Sequence, residues 1–181
     1  TKPIIQPDGS VKFNQVTQLE TSAQLALSQP IPQLGAYVYA ASDHDSGGQA
    51  RILFQVLDLA DPKFPRSTGS LEIAGSVDDM DVIDTSVYLA RSNGSLAIID
   101  VTDPAHPDAD FLAAPVQPNQ GLPVRVAACE EAVYLSACVH SGFETYAHLH
   151  AVDRSSLAVV DLDSRQGNIE DLQCTAGGKL A

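Results

Sequence analysis

Short stretches of this chain alternate apolar and polar residues with a period of two, and Gly, Asn, Asp or Pro interrupts each stretch. Strands of a half-buried sheet have that period, because successive side chains point to opposite faces. Three such stretches resemble one another: AYVYAAS (36–42), SVYLARS (86–92) and AVYLSAC (132–138). Tyr39, Tyr88 and Tyr134 align across them at spacings of 49 and 46. A second set follows downstream. FQVLDLADP (54–62) and LAIIDVTDP (96–104) run apolar-x-apolar-apolar-Asp-apolar-x-Asp-Pro, offset by 42 positions. LHAVDRSS (149–156) keeps the first half, and VKFNQVT (11–17), after Asp8-Gly9-Ser10, is a weaker copy.

Two further elements complete the unit. GSVDDMDVIDTSVYL (75–89) resembles GNIEDLQCTAGGKLA (167–181) over its first half, with Val77-Asp78-Asp79-Met80 against Ile169-Glu170-Asp171-Leu172. Short apolar segments follow each Asp-containing strand, at 71–74, 111–114 and 157–161. The spacing therefore predicts four strands per unit of roughly 42–53 residues. Asp61-Pro62 and Asp103-Pro104 fit turn starts, since proline fixes φ and the aspartate can bond the backbone ahead of it. Asn93-Gly94 fits a hairpin turn. Residues 16–27 are rich in Gln, Leu and Ala but have neither cap nor helical period, and are read as strand plus loop.

Four antiparallel strands per repeat of this length is the signature of β-propeller blades. The expected architecture is all-β, with blades at about 29–74, 75–114 and 120–162 and part-blades at 8–28 and 167–181. The N-terminal part reads as third and fourth strands and the C-terminal part as a first strand, so the two could complement each other into one blade. Three assemblies stay open: a piece of a larger propeller, two copies head to tail, or one chain closing alone.

At Val87–Pro107 (VYLARSNGSLAIIDVTDPAHP) the chain resembles the LVIVD-repeat β-propeller family. Leu96, Ile98, Ile99, Asp100, Thr102, Asp103, Pro104 and Pro107 carry the likeness, and 54–65 follows it with departures at Gln55 and Ala60. The resemblance spans about 37–162 and implies a secreted, periplasmic or cell-surface protein without catalytic residues. Asp58, Asp100 and Asp153 are accordingly expected to bond backbone at strand ends.

Charge changes the picture of partners. Of 181 residues only 18 % are charged, yet the net charge is −13. Such a field repels phosphate backbones, so nucleic acid is not an expected partner; it would attract basic proteins, or serve solubility alone. A protein partner, or the remaining blades of a larger propeller, is expected from the open strand edges. No apolar run reaches the ~20 residues of a membrane helix, and no signal peptide is evident. The chain opens on Thr1 rather than Met, which fits a processed product or a fragment. Three cysteines, at 129, 138 and 174, form no disulfide framework and leave the redox compartment open.

Candidate chemistry falls in three places. Cys138, His140, His148 and His150 form two x-spaced pairs on consecutive strands. A thiolate with imidazoles suits zinc or copper. An odd loop would bring all four to one face, and an even loop would split them; the alternative is a plain polar hairpin. Asp43-His44-Asp45-Ser46-Gly47-Gly48 resembles the start of a calcium loop but lacks the later acidic ligands. Asp79 and Asp81 would point the same way from a channel-lining first strand, to take a cation or basic partner, or to be neutralised by Arg125. No GxSxG, HExxH or phosphate-cradling glycine loop occurs. The expectation is a non-enzymatic binding or scaffold module, with a Zn- or Cu-dependent enzyme or electron-transfer accessory as the alternative.

Overall fold

A computed structural model describes residues 3–5, 11–13, 23–27, 37–61, 63–112, 124–169, 172–174 and 180. All regular structure among them is β, with no helix. A two-stranded hairpin pairs β1 (Pro3–Ile5) with β2 (Val11–Phe13). Three open four-stranded antiparallel sheets follow, each a meander in which consecutive strands are neighbours.

The first sheet comprises β3 (Ala23–Leu27), β4 (Tyr37–Asp45), β5 (Ala50–Asp58) and β6 (Arg66–Ala74). Next come β7 (Val77–Ile83), β8 (Ser86–Arg91), β9 (Leu96–Asp100) and β10 (Asp108–Leu112). The last sheet holds β11 (Val124–Ala128), β12 (Ala132–Ser141), β13 (Glu144–Asp153) and β14 (Val159–Gln166). The tyrosine stretches thus become second strands and the Asp-containing stretches third strands, as their order implied.

The boundaries differ at both ends. Residues 23–27, assigned from sequence to an N-terminal part-blade, pair with β4 and open the first sheet. That segment's run of Ala, Gln and Leu has little β character of its own, and pairing with the long edge of β4 decides its state. The third sheet continues to Gln166 rather than stopping near 162, because a bulge between Leu149 and His150 lets β14 keep pairing beyond Leu162. At the C-terminus, the described residues hold an isolated Cys174–Leu180 bridge rather than a strand.

Two buried apolar layers hold the sheets together. Tyr39, Ala41, Ile52, Phe54 and Val56 of the first sheet pack on Met80, Val87, Leu89, Ala97 and Ile99 of the second. On its opposite face the second sheet sets Tyr88, Ala90 and Leu96 against Val126, Val133, Leu135 and Val152 of the third. The middle sheet is therefore covered on both sides, which is why β8 and β9 are apolar nearly throughout, whereas β10 is mostly exposed. The first strands lie side by side, β7 between β3 and β11.

Turns follow the local chemistry. Asp103 accepts the Ala105 N–H at 3.0 Å, and Asp61 accepts that of Lys63 at 3.0 Å, so both Asp-Pro steps are side-chain-capped turns. The turn after Asp103 lies against β6. A Cβ on Gly69 would sit 2.3 Å from the Pro104 carbonyl oxygen, so only glycine lets the first two sheets approach this closely.

Candidate functional site: carboxylates along the first strands

β7 carries Asp78, Asp79 and Asp81 within four residues. Pairing with β8 shifts between Val77 and Asp79, leaving Asp78 as the extra residue of a bulge. A bulge interrupts the alternation of side chains, so neighbouring aspartates can reach the same way. They reach β11. Asp78 Oδ2 accepts the Val124 N–H at 2.9 Å, Asp79 Oδ2 that of Val126 at 3.1 Å and Asp81 Oδ2 that of Ala128 at 2.8 Å. Val124, Val126 and Ala128 alternate along β11, so their N–H groups all leave one edge of the strand. Three carboxylates stand where a neighbouring strand would supply carbonyls.

The remaining oxygens are also engaged. Asp79 Oδ1 accepts the Met80 N–H at 2.9 Å and Asp81 Oδ1 that of Val82 at 2.8 Å. Burial pushes the Asp79 carboxyl above the ordinary aspartate range. The N–H groups of Val126 and Met80 and the charge of Arg125 oppose this, and Asp81 adds to it. At Asp79 the expected influence of Arg125 is therefore smaller than that of backbone donation. A related bond joins the first two sheets, where Asp43 Oδ1 accepts the Val77 N–H at 2.9 Å. Beside the seam, Asp79, Asp81, Val126, Ala128 and residues 172–174 line a cleft of about 430 Å³.

The other predicted residues are placed as follows. Asp43 and Asp45 are drawn to different backbone partners. Asp43 serves the inter-sheet bond, and Asp45 Oδ1 accepts the Gly48 N–H at 2.6 Å within its own hairpin. Cys138, His140, His148 and His150 are not brought together. β12 and β13 join through Gly142 and Phe143, with Ser141 opposite Glu144, Ala137 opposite His148 and Leu135 opposite His150. Gly142 adopts φ 66°, as a tight two-residue turn requires. That even loop turns Cys138 and His140 to one face and both later histidines to the other. Among the described residues no three His, Cys, Asp or Glu side chains gather as a metal site would need.

Each residue of that hairpin has its own surroundings. Cys138 is a buried free thiol, and His140 Nδ1 lies 2.8 Å from Thr145 Oγ1. His148 and His150 stack in near-parallel, 6.4 Å apart. His150 is 3 % exposed, and its Nδ1 is 3.7 Å from Asp161. Burial lowers its pKa, Asp161 raises it and His148 lowers it further, with a net fall.

The motif aspartates bond backbone at strand ends, as expected of them. Asp58 Oδ1 accepts the Ala60 N–H at 2.7 Å, and Asp100 Oδ1 that of Thr102 at 2.8 Å. Asp153 Oδ1 takes the N–H groups and hydroxyls of both Ser155 and Ser156. Its carboxyl is held far below the ordinary range, chiefly by the Ser155 hydroxyl. Arg154, next along, reaches Asp84 on the second sheet at 2.6 Å and the Glu130 carbonyl at 3.1 Å.

One feature had no usable signal in the sequence: a disulfide joins Cys129, just after β11, to Cys174, across 45 positions with Cα atoms 5.6 Å apart. Of the carboxylate seam, Asp79 and Asp81 were singled out from the sequence, but their backbone partners on β11 were not. Compared with known proteins, the chain matches no family model and no curated protein.

Proposed function

We propose that the chain is a run of β-propeller blades of the LVIVD-repeat type, working outside the cytoplasm as a non-enzymatic binding or scaffold module. The observation that carries this reading is the use of the repeat's carboxylates. Asp58, Asp100 and Asp153 secure their own strand ends, while Asp78, Asp79 and Asp81 secure the neighbouring sheet. Acidic side chains at repeating positions thus build architecture, which leaves binding to loops, strand edges and the acidic surface. Stacked meanders with adjacent first strands are what radial packing of blades requires.

The Cys129–Cys174 bond supports an extracytoplasmic setting, because reducing compartments keep such thiols apart. A net charge of −13 favours a basic protein partner. No helix among the described residues is long and apolar enough to cross a membrane.

Intact source cells treated with a membrane-impermeant amine crosslinker test the proposal. The expected result is labelling from outside, a crosslinked adduct with a second protein, and Cys129 and Cys174 oxidised. Recovery only from the cytosol, uncrosslinked and with both thiols reduced, would overturn it.

A further inference from the structure

We propose that the outer edge of β14 takes up an extended strand of a basic partner protein, whose apolar side chains cover Leu157, Val159, Val160 and Leu162 and whose lysine or arginine meets Asp161. This deepens the reading above, on which it rests, by naming the strand edge that binds and the chemistry of what it binds.

The case begins with where apolar surface is left open. Among the described residues seven large hydrophobic side chains are exposed, and four of them, Leu157, Val159, Val160 and Leu162, fall within six consecutive positions. Val160 is 55 % exposed and Leu162 49 %. Single exposed hydrophobics are ordinary, whereas a contiguous set marks a contact surface. Phe111, at the corresponding edge of the second sheet, is capped instead by the Arg91 guanidinium, 5.5 Å from the ring centre.

The other two sheets show that the fold does not require this surface. Directly before the motif aspartates stand Leu57, Ile99 and Val152, which pair with Ser67, Ala109 and Val159. One residue earlier, Val56, Ile98 and Ala151 pair with Gly69, Asp110 and Val160. β6 and β10 thus carry small or polar residues where β14 carries two valines. Gly69 lies under the Pro104 carbonyl of the neighbouring sheet, where even a Cβ finds no room. With Val160 at that position, β14 is not shaped to seat a turn of the same kind. The approach to β14 is held firmly as well. Asp153 Oδ1 gathers Ser155 and Ser156, the Leu157 N–H donates to the Asp153 carbonyl at 2.9 Å, and Leu157 is kept at φ 57°, a backbone region unfavourable to leucine. A margin fixed in advance loses little freedom on binding.

Geometry selects a strand as the occupant. β14 ends its sheet, so among the described residues no further strand meets the backbone groups it turns away from β13. Consecutive residues Val159 and Val160 point to opposite faces of the sheet, and the register shift opposite Leu149 and His150 leaves Leu162 outside the ladder. A surface laid on one face would cover one valine. A strand added at the edge covers both and pairs the open backbone groups too. Charge selects which strand. Arg154 is engaged by Asp84 and Arg165 by Asp163. Asp161 stays exposed in the middle of the apolar row, 3.7 Å from the buried His150. With a net charge of −13, the chain repels a second copy of itself and draws in a basic segment.

Titration of the full chain with a labelled peptide of alternating lysine and valine, and with its glutamate–valine counterpart, tests this by fluorescence anisotropy and amide exchange. The lysine peptide is expected to bind and to slow exchange at the alternate β14 amides that face away from β13. The glutamate peptide is expected to do neither. Val160→Lys, at an exposed position, is expected to abolish binding, and Val160→Ile to retain it. Failure of the lysine peptide to bind, equal binding of both peptides, binding unaltered by Val160→Lys, or no slowing at those amides would overturn the proposal. So would a wild type that sediments as a dimer with the same amides already protected, since a second copy would then be the occupant. Amide exchange of Val124, Val126 and Ala128 in the same sample separates the two levels. Protected amides without peptide binding remove only the docking edge, whereas unprotected ones remove the stacked-blade reading as well.

Discussion

Asp79 is a carboxylate placed where burial disfavours its charge, and two backbone N–H groups only partly offset that cost. Its folded-state pKa is raised, so ionisation reduces stability as pH climbs above the ordinary aspartate value of about 3.9, and acidification removes the penalty. Asp100, Asp103, Asp153 and Asp163 shift downward, and the stability they add above that value is lost as pH falls below it and through their lower folded-state values. Asp79→Asn should therefore gain stability relative to wild type at pH 7 compared with pH 4 in urea titrations. A gain that is larger at pH 4 would contradict the assignment. Asp79→Ala instead leaves the Val126 N–H without its acceptor and should cost about 1–3 kcal/mol at pH 4, and less at pH 7, where it also removes the penalised charge. Gly69→Ala tests a different contact. Its new Cβ meets the Pro104 carbonyl, a backbone atom that cannot swing away, so a loss of about 1–3 kcal/mol is expected in the same titration. At this scale the strand-end aspartates and Asp-Pro turns were legible because their bonds span two or three residues. The long-range partners of Asp43 and Asp78 were not, since they lie 34 and 46 positions away.

Among the elements, β11 shows most clearly how pairing beyond the local sequence decides structure. Its inner edge would be an exposed row of N–H groups, and β7 covers it with side chains instead of a strand ladder. Period-two alternation located β4, β8 and β12 directly. It could not fix the β12–β13 hairpin, because one residue of loop length reverses which face His148 and His150 occupy. The disulfide just beyond β11 was equally illegible, as three irregularly spaced cysteines allow three pairings. Cys129→Ser releases 172–174 from that strand and should cost about 2–4 kcal/mol. Calorimetry checks it: reductant should lower the wild-type melting temperature and leave that of the variant unchanged. Equal response of both proteins would mean that the bond does not hold this segment.

At the scale of the whole molecule, the three meanders among the described residues share two apolar layers, and the carboxylates of β7 join the second sheet to the third along their first strands. Four-strand units were legible as a repeat, since each sheet spans one period of the sequence. Their stacking was legible only by inference, from strands too apolar to face water on either side. The carboxylates of β7 add to those apolar layers between the second and third sheets, and they make a demand on β11 that an ordinary free edge would not. Amide hydrogen exchange by NMR at Val124, Val126 and Ala128 measures this directly. Slow exchange at all three, lost at Val126 in Asp79→Ala, is the expected result. Exchange at the rate of an uncovered strand edge, insensitive to that substitution, would contradict the stacking of the sheets around their first strands.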